Sequence, residues 1–219
     1  MKRRVPALFV KVCGLADRRS AEAAVRAGAD YLGLVLAPSR RQVRPETASQ
    51  VVAAVRAKWV GVFVDAPVDR IEDSVRALDL AAVQLHGSED PATCRAVRER
   101  TGRPVWKALP WTGDPGPLMA FANVADVLLL DAGGPGRGGT GRELPWAEIA
   151  ERFPFARRPV PLVLSGGLHG DNVAEAIAIV GPDGVDASSW LETAPGLKDP
   201  ERVRRYVERA RRSATQEVG

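Results

Sequence analysis

The sequence lacks any long apolar run. Its longest uninterrupted apolar stretches, such as Val127-Leu128-Leu129-Leu130, are strand-sized, far short of the roughly 18 residues a membrane-spanning helix needs. An integral membrane protein is therefore not expected. Cysteine is scarce: Cys13 and Cys94 are the only two, and no disulfide framework for a chain of 219 residues can be built from them. Histidine is equally scarce. His86 and His169 lie far apart, and no Cys/His spacing resembles a zinc site. No G-x-S-x-G elbow marks a nucleophilic serine. No G-x-G-x-x-G follows the first predicted strand, which argues against an open dinucleotide-binding sheet. No linker or low-complexity segment divides the chain, so a single domain is expected over residues 1–219. The amino terminus begins with basic residues, but Lys11 cuts its apolar run short and no small-residue cleavage site follows. A cytoplasmic location is the expectation.

What is present is a regular alternation. Short β-branched runs read as strands at Leu8–Cys13, Tyr31–Leu36, Trp59–Val64, Ala81–Leu85, Val105–Ala108, Val127–Asp131, Pro161–Ser165 and Gly184–Ala187. Each is nearly continuous in hydrophobicity, as a parallel strand buried on both faces must be. Helical patterns fill the intervals at Asp17–Ala27, Pro45–Ala57, Asp69–Leu78, Pro91–Arg100, Asn172–Val180 and Pro200–Arg212. Weaker helical segments lie around 115–124 and 145–152, where prolines crowd. Eight such units, at about 27 residues each, predict a single-domain α/β protein with the (β/α)8 barrel fold, spanning about 8–212 and ending in a short tail.

Net charge is +4, from 31 basic and 27 acidic residues. The densest basic cluster is Arg202, Arg204, Arg205, Arg209, Arg211 and Arg212. It is interleaved with Glu201 and Glu208 and has no aromatics on which bases could stack. A solvated helix face is expected rather than a nucleic-acid platform, and the mild positive field favours a small anionic substrate.

In such a barrel, chemistry gathers where strands end and the following loops begin. Cys13-Gly14 ends the first strand, and Ser39-Arg40-Arg41 follows the second. Asp65, His86-Gly87 and Lys107 fall at the third, fourth and fifth. Asp131 ends the sixth, before a glycine-rich run that includes Gly139. Ser165-Gly166-Gly167 follows the seventh strand, and Ser188-Ser189 the eighth. Asp131 closes an apolar run, where desolvation would raise its pKa and suit a general acid; a turn or capping role is the alternative. Cys13 reads either as a thiolate base or nucleophile in an electropositive mouth or as a small core residue. Cys94 sits within a helix and reads as core. The glycines at Gly166-Gly167, beside Ser188-Ser189, suit a phosphate held on backbone N–H groups at helix amino termini.

These runs, taken in order, resemble the phosphoribosylanthranilate isomerase family of tryptophan biosynthesis. The likeness is carried by Lys11-Val12-Cys13-Gly14-Leu15, Gly61-Val62-Phe63-Val64, Val83-Gln84-Leu85-His86-Gly87 and Leu128-Leu129-Leu130-Asp131. It continues in Gly138-Gly139-Thr140-Gly141, Leu164-Ser165-Gly166-Gly167-Leu168, Val185-Asp186-Ala187-Ser188-Ser189 and Pro195-Gly196-Leu197-Lys198-Asp199. The resemblance implies an Amadori rearrangement without a cofactor, on a small phosphorylated substrate, with no nucleic-acid or membrane partner. A monomer is the default, with a homodimer as the alternative. It further implies that Asp131 is the acid that opens the ribose ring and Cys13 the base at C2. Arg41 would bind the anthranilate carboxylate and His86 would line the pocket. Gly139, Gly167, Ser188 and Ser189 would hold the phosphate on their N–H groups, with Gly166 also among the substrate-binding residues.

The chain departs from the family pattern at Trp190-Leu191-Glu192, where glycine usually follows the second serine. An indole there is expected to crowd the loop or change its backbone angle. Three rivals stand beside this reading. The related histidine-pathway isomerase resembles a design with aspartate at both catalytic positions, which Cys13 opposes. A barrel of the same family, diverged to act on or bind another phosphorylated metabolite, is motivated by Trp190. Nucleic-acid binding rests on the arginine-rich helix alone.

Overall fold

The computed structural model describes residues 8–133, 143–154 and 158–216, with side chains placed through 213. Eight parallel strands close into a barrel: β1 (Phe9–Cys13), β2 (Tyr31–Val35), β3 (Trp59–Phe63), β4 (Ala82–Leu85), β5 (Val105–Pro110), β6 (Val127–Asp131), β7 (Leu162–Leu164) and β8 (Gly184–Ala187). Closure is made by β8 lying along β1, with Val10 opposite Val185 and Lys11 opposite Asp186. Helices alternate with the strands: α1 (Arg18–Ala27), α2 (Pro45–Ala54), α3 (Val68–Leu78), α4 (Pro91–Thr101), α5 (Gly116–Met119), α6 (Trp146–Arg152), α7 (Val173–Val180) and α8 (Pro200–Gln216). This is the (β/α)8 barrel that the alternation predicts. Among the described residues no helix is long and apolar enough to cross a membrane.

Local chemistry sets the helix ends. Side-chain acceptors at the first position satisfy N–H groups that the helix itself cannot. Asp17 caps α1 in this way by accepting from the Ser20 N–H at 2.9 Å. Asp90 caps α4 by accepting from the Thr93 N–H at 2.7 Å. The second helix stops at Ala54, three residues short of the expected Ala57. Val55 is extended there (φ −130°) and buried, and its carbonyl accepts from the Trp59 indole at 3.1 Å. The segment expected to be helical over 115–124 shrinks to the single turn of α5, beyond which the chain continues in turns with i→i−3 bonds, from the Phe121 N–H to the Leu118 carbonyl, Ala122 to Met119 and Val124 to Phe121. After β8 come a 3₁₀ turn, Ser189–Leu191, and a small hairpin, β9 (Glu192–Ala194) with β10 (Leu197–Lys198). The hairpin is too short to carry a readable alternation.

Period-two alternation divides each strand between an outer and an inner core. Outward residues such as Val10, Val12, Leu32, Leu34, Leu128, Leu130 and Val185 pack under the helices. Inward residues, among them Val60, Ala82, Trp106, Leu129 and Val163, form a separate cluster inside the barrel. At its amino-terminal end three rings plug the bottom, at the separations that aromatic pairs favour. Phe9 lies 5.5 Å from Tyr31 and 5.4 Å from Trp106 between centroids, and Tyr31 lies 5.0 Å from Trp106.

The basic helix α8 turns Val203, Tyr206, Val207 and Ala210 to the core. Its arginines are committed to neighbours: Arg204 donates to Glu208 at 2.7 Å, and Arg211 donates to the Leu8 carbonyl at 2.7 Å and to Asp30 at 2.5 Å. The solvated face of the sequence reading is thus a network of ion pairs that also ties the last helix to the first strand.

Lys107 corrects the expectation of a reactive group at the rim. Its side chain is buried, and Nζ donates to Glu89 Oε2 at 2.7 Å and to the Gly87 carbonyl at 2.8 Å. Glu89 in turn accepts the N–H groups of Asp65 and Gly87, each at 2.8 Å. The pair therefore braces the loops after β3 and β4. Lys107→Met is expected to strand the Glu89 carboxylate and cost about 3–5 kcal/mol of stability. Urea denaturation measures this, and a loss under about 1 kcal/mol would show the pair to be dispensable.

Candidate active site

The carboxyl ends of the strands surround a cavity of about 360 Å³. Its lining residues recur two apart along each strand: Val35 and Ala37, Val62 and Val64, Gln84 and His86, Asp186 and Ser188. This is the inward face of the same alternation that fills the barrel below, continued at the top as an apolar wall on the β2 and β3 side and a polar one on β4, β6 and β8. Cys13, Arg41, His86, Asp131, Gly166, Gly167, Ser188 and Ser189 all line it. Gly139 lies outside the described residues. Arg40, adjacent to Arg41, is exposed and does not line the cavity.

Cys13 and Asp131 come from β1 and β6, strands separated in the barrel by β7 and β8 on one side and four strands on the other. Cys13 is only 7% exposed, so the open mouth expected for it is not found. A Cβ at Gly33 of β2 would stand 2.6 Å from its sulfur, so the neighbouring strand must carry glycine for the thiol to fit. Burial pushes the Cys13 thiol up from its ordinary value, while the ammonium groups of Lys11 and Lys198 pull it back down.

Asp131 is 6% exposed and is held by a chain of side chains. Gln84 Nε2 donates to His86 Nδ1 at 3.0 Å. With Nδ1 accepting, the neutral imidazole carries its N–H on Nε2. That N–H donates to Asp131 Oδ2 at 3.0 Å. The other carboxylate oxygen, Oδ1, lies beside Gly166, where an added Cβ would approach it to 3.0 Å and the backbone is left-handed at φ +88°. Glycine at 166 thus leaves room for the Asp131 carboxylate as well as for the turn of the loop.

Arg41 is held edge-on by Glu192. Nε donates to Oε1 at 2.8 Å and Nη2 to Oε2 at 2.8 Å. This is the bidentate geometry that a carboxylate and a guanidinium favour. Among the described residues Nη1 has no acceptor. Glu192 also accepts from Lys198 Nζ at 2.8 Å, and that ammonium reaches on to the Ser188 carbonyl at 3.1 Å. Burial opposes the charge on Glu192, but the hydrogen bond from Arg41 and the charge of Lys198 outweigh it and hold the carboxyl below its usual range. The hairpin β9–β10 therefore supplies the residues that fix both the strand-two loop and the strand-eight loop. Sequence reasoning quoted Glu192 and Lys198 within motifs but gave them no part in the site. It also gave no part to Gln84 or Asp186, whose only signal is a polar residue in an otherwise apolar strand.

Among the described residues no acceptor takes the backbone N–H of Gly167, Ser188 or Ser189. Unpartnered N–H groups clustered at a cavity wall suit an anion. Asn172, just before α7, donates to the Gly167 carbonyl at 2.9 Å and accepts from the His169 N–H at 2.8 Å, which stiffens that wall. Trp190 neither crowds the cavity nor takes a left-handed backbone. It lies outside the lining, about half exposed, with its indole 5.1 Å from the His169 ring.

Residues 10–209 match the family model described as N-(5'phosphoribosyl)anthranilate (PRA) isomerase. The chain is 44% identical over 210 residues to the N-(5'-phosphoribosyl)anthranilate isomerase of Azorhizobium caulinodans, covering 92% of this chain and 90% of that one. Among solved structures it is similar to phosphoribosyl anthranilate isomerase from Thermotoga maritima, with 36% identity, a TM-score of 0.83, and coverage of 93% of this chain and 98% of the other. It is also similar, at 34% identity and a TM-score of 0.79 with the same coverage, to a phosphoribosyl anthranilate isomerase in complex with reduced 1-(o-carboxyphenylamino)-1-deoxyribulose 5-phosphate. A family model matched over residues 10–209, together with a relative 44% identical over 92% of the chain, settles the family: the chain belongs to the phosphoribosylanthranilate isomerases.

Proposed function

We propose that the chain isomerises N-(5-phosphoribosyl)anthranilate to 1-(2-carboxyphenylamino)-1-deoxyribulose 5-phosphate by general acid–base catalysis at this cavity. The observation that carries the reading is the pairing of Asp131 and Cys13 across one enclosed space whose further wall holds unpartnered N–H groups. Asp131 gives a proton from Oδ1 to the ribose ring oxygen, and the C1–O bond breaks to leave an iminium. His86, donating to Oδ2, keeps the carboxyl turned and takes up the charge left behind. Cys13, as thiolate, removes the C2 proton that the iminium has acidified, and an enolamine forms.

Binding groups follow from the same geometry. The substrate carboxylate is met by the Nη1 edge of Arg41, whose other edge Glu192 holds. The phosphate rests on the N–H groups of Gly167, Ser188 and Ser189, with Gly166 in the same wall. No step of this chemistry calls for a cofactor or metal. In this reading the work is done in the cytoplasm, on a small molecule, by a monomer as the default, with a homodimer as the alternative. Trp190, packed outward on His169, supports retention of the family's substrate over a diverged ligand.

With substrate generated in situ, purified protein is expected to quench the anthranilate fluorescence rapidly without added metal. Cys13→Ser and Asp131→Asn should each lose about 10²–10⁴-fold in kcat; a flat wild-type trace from folded protein would sink the assignment. Arg41→Lys keeps the charge but not the fork, so KM should rise by about tenfold or more with kcat changed much less. An unchanged KM would remove Arg41 from substrate binding. Because burial raises the Cys13 thiol and the base acts as thiolate, kcat/KM should climb with pH above neutrality and fall on acidification. In Cys13→Asp the carboxylate is already ionised at neutral pH, so that climb should vanish from the residual activity; its persistence would assign the limb to another group.

A further inference from the structure

The rearrangement moves more protons than Asp131 and Cys13 account for. Ring opening adds one proton to the ring oxygen, and the base removes one from C2. To finish, C1 must gain a proton and the hydroxyl on C2 must lose one as it becomes a ketone.

Asp186 is placed for the last of these. It sits on β8, two residues before Ser188, and lines the same cavity as Cys13 and Asp131. It is 3% exposed, and Oδ2 accepts from Lys11 Nζ at 3.0 Å. Among the described residues no donor reaches Oδ1. Folded interiors rarely leave a buried carboxylate oxygen bare, and one left bare beneath a ligand cavity awaits a donor that the ligand brings. Lys11 lies on β1 two residues before Cys13 and is fully buried. Its charge acts on both Asp186 and the Cys13 thiol, so the two anionic sites share one cation. Burial pushes the Asp186 carboxyl up from its ordinary value, with Lys11 opposing, which makes it a stronger proton acceptor than a solvated carboxylate.

We propose that Asp186 is a third catalytic group, accepting the C2-hydroxyl proton as the enolamine collapses to the ketone, with Lys11 as the positioning residue that couples it to Cys13. The step rests on the isomerase reading above and balances within it. The O–H bond breaks and its proton passes to Asp186 Oδ1, while the freed pair forms C2=O. The C1=C2 pair takes a proton at C1 from the Cys13 thiol, the proton that thiolate had removed from C2. Asp131 has by then given one proton and Asp186 gained one, so transfer between the two carboxyls through water resets the enzyme.

The test runs wild type, Asp186→Asn and the double variant K11M/D186N in D₂O with substrate generated in situ. Unreacted substrate then hydrolyses to ribose 5-phosphate, whose mass is read. If Asp186 acts after C2 deprotonation, blocking it lets the enolamine revert. Asp186→Asn should then turn over slowly, down on the order of 100-fold; the thiol proton, handed on directly in the wild type, has time to exchange with D₂O while collapse is blocked, so ribose 5-phosphate recovered from the variant should carry one deuterium that the wild-type reaction does not install. The double variant leaves no uncompensated lysine in the barrel and carries the same test where the single variant folds poorly; losing the Lys11 charge beside Cys13 should make it slower still, with the label per product formed as high as in the single variant. Turnover within about threefold of wild type in either variant, or slow turnover without label, would overturn the proposal. An active wild type in those cases leaves the isomerase reading standing, whereas an inactive wild type removes both.

Discussion

Closing eight strands of three to six residues into one barrel is the constraint from which the rest follows. Strands that short offer only a few inward positions each, and the period of two assigns them to layers. The lowest layer is aromatic and the middle one aliphatic, with Lys11 as the polar exception held against Asp186. The top layer is mixed, apolar at β2 and β3 and polar at β4, β6 and β8, and it lines the cavity. Polar groups at the strand ends are therefore not scattered loop residues. They are the next step of the alternation that builds the core, held with core-like rigidity.

Charge inside such a barrel is tolerated only in pairs. Two buried lysines illustrate opposite uses of this rule. Lys107 satisfies Glu89 and loop carbonyls and stays out of the cavity, so its energy goes into bracing loops. Lys11 also meets a carboxylate, but one with an oxygen to spare, and it stands next to the thiol. A third lysine, Lys198, sits between: it is buried against Glu192 yet reaches the backbone of the strand-eight loop. Burial pulls its ammonium below the ordinary lysine value, which Glu192 opposes. The loops around the cavity are thus fixed less by their own sequences than by ionic contacts from the hairpin and the barrel interior.

Most of the fold was legible because parallel strands buried on both faces are read from hydrophobicity alone, and Asp17, Asp90 and Pro91 announce their helices by local chemistry. The end of α2 was not legible: Val55 looks helical in sequence, and only its burial and the Trp59 indole pull it out of the helix. Nor was the β9–β10 hairpin, whose two short strands carry no period. Positions at strand ends pointed to Cys13, Arg41, His86 and Asp131, since the barrel dictates where they face. The partners that orient them were hidden. Nothing local in Gln84, Glu192 or Lys198 distinguishes a residue that grips a neighbour from one that faces water. Trp190 was misjudged for the converse reason, because its neighbour His169 is distant in the chain and only the fold brings the rings together.

The enclosure of Cys13 has a consequence for the lifetime of the protein. A thiol that reacts as its anion is normally the first group lost to peroxide or electrophiles. Here the sulfur is nearly sealed off, walled by Gly33, and kept mainly as thiol by its burial. Such packing disfavours attack from solvent, and the burial that shields the sulfur is the same burial that raises its pKa.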